Sequence, residues 1–135
     1  MRGISLLVIG LALTSCAAVP PGPERSAAKQ RQLDELLAGK VPAPPQSCLP
    51  SYRSNDMVVI DEHTIAFRDG SNRTYVTNMR GGCSGLGGTN TLVTRTYGTA
   101  ELCRGDIGQV VDLMNHFTVG SCVFGDFIPY TRPRR

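Results

Sequence analysis

The chain of 135 residues has no cysteine pair at C-x-x-C spacing, only two histidines, no long hydrophobic run and no strong excess of charge of one sign. Each absence excludes a chemistry. Close cysteine pairs are what usually build structural zinc sites and thiol redox centres, and here the gaps between Cys48, Cys83, Cys103 and Cys122 are 35, 20 and 19 residues. No metal site and no cofactor is therefore expected. The longest apolar stretch, residues 4–13, is about 15 Å long as a helix, half of the roughly 30 Å needed to cross a bilayer. A net charge of +3 is too even for a nucleic-acid reader, which usually carries a strongly basic face.

Enzyme signatures are also incomplete. Ser84 lies in Gly82-Cys83-Ser84-Gly85-Leu86, which lacks the second glycine of the nucleophile elbow. Asp61, Glu62 and His63 are consecutive, but neighbours in an extended chain point to opposite faces and such a run at a turn is ordinarily solvated. The other histidine, His116, would serve a hydrolase only if a nucleophile such as Ser84 or Ser121 came close to it. The glycine-rich loop 81–88 lacks the Gly-Lys-Ser/Thr ending of a phosphate-binding P-loop. No catalytic residue is assigned.

What the chain does have is a basic start at Arg2, the short apolar stretch, and Leu13-Thr14-Ser15-Cys16. This looks like a lipobox at the end of a secretory signal. It implies that residues 1–15 are removed and that Cys16 is lipidated, with a diacylglycerol on sulfur and a further acyl chain on nitrogen. The mature protein would then be tethered to a membrane without spanning it. Ala17, rather than Asp, resembles lipoproteins sorted to the outer membrane, which would place the domain in the periplasm. Without residues 1–15 the chain keeps 120 residues, 13 basic groups and 11 acidic ones.

Residues 16–46 read as a proline-rich tether, with Pro20-Pro21-Gly22-Pro23 at one end and Pro42-Ala43-Pro44-Pro45 at the other. Proline favours extended, semi-rigid geometry. Between the two runs a short helix is expected over 26–38, with Ser26 as N-cap and Gly39 just beyond its end. Its few apolar residues, Leu33, Leu36 and Leu37, suit loose docking on the rest of the protein. Residues 131–135 form a basic tail.

Residues 47–130 are expected to form a mainly β domain, a small barrel or rolled sheet of five or six strands. Strands are expected over 57–60, 64–68, 74–78, 89–97, 107–114 and 121–128, with Asp69-Gly70-Ser71-Asn72 as a hairpin loop. The closing strand supplies Cys122, Phe124, Phe127 and Ile128 to the core. A domain of this size needs staples, and four cysteines in an exported chain read as two disulfides. Three pairings are open. Joining the first and last elements favours Cys48 with Cys122, which leaves Cys83 with Cys103.

An ordered set of residues and motifs stands out: Cys48, Val58-Val59-Ile60-Asp61, Thr64-Ile65-Ala66-Phe67, Tyr75, Asn78, Cys83-Ser84-Gly85-Leu86, Leu102-Cys103-Arg104-Gly105-Asp106-Ile107 and Cys122-Val123-Phe124-Gly125-Asp126-Phe127-Ile128-Pro129-Tyr130. Together they resemble a family of small exported proteins and lipoproteins of Gram-negative bacteria, catalogued as a domain of unknown function. The resemblance implies a paired-cysteine, mainly β domain and no particular activity. The expectation is a non-enzymatic envelope module that docks a protein or glycan partner. A narrower version is an inhibitor of a cell-wall-degrading enzyme, with Ser84, Gly85 and Leu86 in the inserting loop. The competing class is a hydrolase of envelope material built on His63 or His116.

Overall fold

A computed structural model describes residues 24–50, 56–95 and 101–134. The signal segment and Cys16 lie outside the described residues. The fold is mainly β, with one helix, α1 (Ala27–Leu37), and ten short strands: β1 (Val41–Pro42), β2 (Cys48–Leu49), β3 (Met57–Asp61), β4 (Thr64–Asp69), β5 (Arg73–Asn78), β6 (Asn90–Thr94), β7 (Leu102–Cys103), β8 (Ile107–Asp112), β9 (Thr118–Val123) and β10 (Phe127–Thr131). They form a five-stranded sheet in the order β1-β10-β5-β4-β3, a pair β2-β7, and a three-stranded sheet β6-β8-β9. Every pairing is antiparallel, and none of the three sheets closes on itself among the described residues.

The middle of the large sheet is covered on both faces, so β4 and β5 are buried at consecutive positions rather than alternate ones. On one face Ile65, Phe67 and Tyr75 meet Leu92, Val110 and Cys122 of the three-stranded sheet, Leu49 and Leu102 of the pair, and Phe124 and Phe127. Phe67, Phe124 and Phe127 have ring centroids 6.1–6.5 Å apart, within the favourable range for aromatic pairs. On the other face Ile60, Ala66 and Val76 receive Leu33 of α1, with Leu36 and Leu37 alongside. These three leucines stand at i, i+3 and i+4, one stripe of a helix.

The helix ends where its caps predict. The Ser26 hydroxyl accepts from the Lys29 N–H, and Gly39 takes φ 72° just past the C-cap Ala38, a left-handed geometry that glycine adopts without steric cost. From Glu24 on, the proline-rich segment lies along the domain. The β1 residues Val41 and Pro42 pair with Thr131 and Tyr130, and Gln46 bridges Phe127.

Three expectations are corrected. The disulfides join Cys48 to Cys103 and Cys83 to Cys122, not Cys83 to Cys103 and Cys48 to Cys122. The cause is register: β2 and β7 place Cys48 directly opposite Cys103, while the segment after β5 runs beside β9, with Arg80 bridging Val123. The expected strand over 121–128 is two strands in different sheets. Phe124 and Phe127 are three residues apart and would point to opposite faces of a continuous strand; burying both requires the bend at Gly125, which is packed against the Asn78 carbonyl. The expected strand over 107–114 stops at Asp112; ten strands stand where five or six were expected because β1, β2 and β7 are additional and the closing strand divides.

Cys83 and Cys122 are buried, whereas Cys48 and Cys103 are half-buried. With sequence separations of 55 and 39, the chain-entropy model assigns each bond about 4 kcal/mol. Reductant should therefore open Cys48–Cys103 first, and breaking Cys83–Cys122 should coincide with loss of the fold. Mass-tagging of freed thiols along a dithiothreitol series, with circular dichroism on the same samples, checks the order.

Candidate functional site

The loop 81–88 is held tightly from two sides. Cys83 N–H donates to the Glu62 carbonyl at 2.6 Å, Gly85 N–H donates to Glu62 Oε1 at 2.8 Å, and Asn90 Nδ2 donates to the Gly85 carbonyl at 2.8 Å. A Cβ on Gly82 would stand 2.6 Å from the His63 ring, and one on Gly120 would stand 2.5 Å from the Ser84 carbonyl. Both glycines are therefore sites of close approach. Ser84 and Gly85 are exposed, but Leu86 is 7% exposed and belongs to the main core. As an inserting loop it offers a partner one hydroxyl and backbone, and no apolar side chain from Leu86.

Asp61, Glu62 and His63 border a groove of about 470 Å³ with Glu24, Arg25, Ser26 and Lys29. Arg25 and Asp61 are engaged with their neighbours there. Arg25 Nε donates to Asp61 Oδ2 at 2.5 Å, its Nη2 donates to the Thr64 hydroxyl, and His63 N–H donates to Asp61 Oδ1 at 2.8 Å. Partial burial raises the Asp61 pKa, but the Arg25 guanidinium and the His63 and Thr64 N–H groups outweigh it and hold the carboxyl below its usual range. His116 stands in the turn 113–117 at φ 58°. No hydrogen bond joins either imidazole to a serine or carboxylate among the described residues.

Cys48, Cys103 and Glu101 bring potential ligand atoms within 4.8 Å of one another. Both sulfurs are in the disulfide, which leaves one carboxylate rather than a thiolate set. Asp106 serves structure, accepting from the Cys103 N–H at 2.7 Å, and Arg104 pairs with Asp126 at 2.9 Å.

The surface that stands out is the β8–β9 hairpin. Leu113 is 53% exposed, Met114 75% and Phe117 54%. The other three phenylalanines are in the core. Fully burying one such side chain contributes about 1.5–3 kcal/mol, a large share of what a domain this small commands. Single exposed apolar residues are normal, whereas three within five residues make the tip a candidate interaction surface. On the outer face of the same sheet, Val93 and Ile107 are also exposed, beside a groove of about 310 Å³ that Arg95, Asp106 and Gln109 complete.

The tip is held in one shape. Asp112 Oδ1 accepts from the Met114 N–H at 2.7 Å and the Asn115 N–H at 3.1 Å, and its Oδ2 accepts from Asn115 Nδ2 at 2.8 Å. Asp112 N–H donates to the Phe117 carbonyl at 3.0 Å, and His116 N–H donates to the Asp112 carbonyl at 2.8 Å. The Asn115 side chain and the Met114 N–H keep the Asp112 pKa low. Sequence reading passed over this site because Leu113 and Met114 look like more of β8. The available signal was Asp112 followed by Asn115, the pattern of an aspartate that bonds the backbone two and three residues on.

Comparison with protein-family models, with curated proteins and with solved structures returns no match. The functional reading therefore rests on residues and geometry.

Asp112→Ala should accelerate amide exchange at Met114 and Asn115 while leaving the melting temperature nearly unchanged, because the carboxylate orders a solvated turn. Hydrogen-exchange mass spectrometry over 107–123 measures this. For Asp61 the folded pKa lies below the unfolded value of about 3.9. Its stabilisation is complete above that pH and is lost as pH falls through the folded value. Asp61→Asn should cost about 1 kcal/mol at about pH 7 and progressively less as pH falls below about 3.9, as read from urea melts across that range.

Proposed function

We propose that this chain is an exported, lipid-anchored, non-enzymatic envelope module whose working surface is the apolar tip of the β8–β9 hairpin. The signal-like start and the lipobox-like sequence at Cys16 support export and anchoring, as does the resemblance to small exported lipoproteins of Gram-negative bacteria. Two disulfides are compatible with an oxidising compartment. In this reading the three sheets act as one rolled, barrel-like unit around the phenylalanine cluster. The observation that carries the proposal is the exposure of Leu113, Met114 and Phe117 on a turn fixed by Asp112. A surface that is both apolar and ordered has its ordering entropy already spent before it docks.

Two measurements test the two halves. Expressed in a Gram-negative host, the full chain should carry the mass of a thioether diacylglycerol and an amide-linked acyl chain on Cys16 and should sediment with envelopes. Cys16→Ala should lose both properties. Recovery of the unmodified chain in the soluble fraction would overturn the anchored reading. Replacing Leu113, Met114 and Phe117 together by serine should leave stability within about 0.5 kcal/mol, as for surface positions. A loss of several kcal/mol in a urea melt would show that the three side chains serve the core instead.

A further inference from the structure

The position of Arg25, just before α1, bears on what the hairpin tip touches. The Arg25 guanidinium holds Asp61 at the end of β3. The next residue, Glu62, accepts from the Gly85 N–H at 2.8 Å, and a Cβ on Gly85 would stand 3.5 Å from Val119 Cγ2. Val119 follows Phe117 by two residues. This run of neighbours leads from Arg25, two residues before α1, towards Val119 of β9, the strand that leaves the apolar tip. The other end of the large sheet is different. There β1 and β10 pair Val41 with Thr131, and Thr131 lies opposite Arg73, a strand's length from Asn78 and Thr64. That end carries Lys40, Arg68 and Arg132, and the Lys40 pKa is lowered by burial and by the two guanidiniums.

Tether length turns this polarity into an orientation. Cys16 precedes Glu24 by eight residues, which reach about 29 Å at full extension and about 25 Å in polyproline geometry. A domain of this size has a radius of gyration of about 13 Å. The reach is therefore no greater than the domain's own diameter. An anchor at Cys16 would keep the domain, and the apolar tip it carries, close to the bilayer at high effective concentration.

We propose that the tip is the domain's second membrane contact: Leu113, Met114 and Phe117 enter the interfacial layer of the bilayer that holds the acyl chains of Cys16. The inference rests on the lipid-anchored reading and adds the identity of what the tip meets, a phospholipid surface. The chemistry suits it. The three side chains are aliphatic, thioether and aromatic, and the one carboxylate of the turn, Asp112, has its oxygens turned to the N–H groups of Met114 and Asn115 and to Asn115 Nδ2. An apolar surface of this size binds membranes only marginally alone and acts when a second signal is present. With acyl chains supplying the hold, the tip supplies direction: it fixes which face of the domain looks away from the membrane.

The chain has no tryptophan, so Phe117→Trp provides a single indole at the tip. Val41→Trp provides one at the far end. Each full-length acylated variant is reconstituted into vesicles of phosphatidylethanolamine and phosphatidylglycerol, with flotation and intact mass recorded on the same sample. Phe117→Trp is expected to emit at shorter wavelength in vesicles and to be quenched by acyl-chain-brominated lipid at least threefold more than Val41→Trp. Adding Leu113→Asp and Met114→Asp should abolish the quenching while flotation persists. Met114→Trp gives a second tip reporter if the first variant fails to fold. A water-like, unquenched indole on protein that floats and carries its lipid overturns the inference and leaves the tip to a protein partner. Stronger quenching of Val41→Trp overturns it too, by placing the basic end on the lipid. Absence of lipid mass and of flotation defeats the anchored reading itself, and the inference with it.

Discussion

The Cys83–Cys122 bond sits where the chain leaving the five-stranded sheet lies against β9, and the two halves of the molecule meet through it. On one side are Met79 and Cys83, whose N–H groups donate to the His63 and Glu62 carbonyls of the β3–β4 turn. On the other are Gly120 and Val119, packed under Ser84 and Gly85. The bond is buried in the same core as Phe67, Phe124 and Phe127, so its closure and the packing of the rings are one event. Replacing Gly120 by alanine would press a methyl group onto the Ser84 carbonyl, a backbone atom that cannot swing aside. The spacing between the sheets is thus fixed by a covalent bond at one point and by an absent side chain at another.

Much of the local structure could be read from residue types. Ser26 and Gly39 bound the helix because capping is local chemistry, and Asp69-Gly70-Ser71-Asn72 closes a hairpin because its turn requirements are local too. Asp106 also behaves as a residue beside Gly105 should, accepting a nearby backbone N–H. What failed needed tertiary information. Cysteine pairing depends on which strands are neighbours, and β2 pairs with β7 across 55 residues. The break at Gly125 follows from the joint burial of Phe124 and Phe127, which no single-strand period reports. Leu113 and Met114 continue the apolar run of β8 in composition, and only the Asp112 carboxylate, bonded back to the turn, takes them out of the ladder.

The same contrast separates the candidate sites. The features that attract notice in the sequence, the glycine loop and the Asp61-Glu62-His63 run, turn out to be bound up in the fold: Leu86 lies in the core, Gly82 is under the His63 ring, and Asp61 is tied to Arg25. Their chemistry is spent on holding two sheets and a helix together. The hairpin tip inverts this. Its polar groups satisfy one another within the turn, and its apolar groups are left in water.

The edges of the five-stranded sheet have a further consequence. One edge is β1, two residues long, and one of the two is Pro42, which has no N–H to offer an incoming strand. The other is β3, only five residues long, whose ladder shifts register between Val59 and Asp61. A flat, unpaired edge would be a template for another copy of the chain. With both of its edges blunted, the five-stranded sheet offers crowded copies of this protein no ready backbone template for stacking into fibres, even though it is rich in valine, isoleucine and threonine.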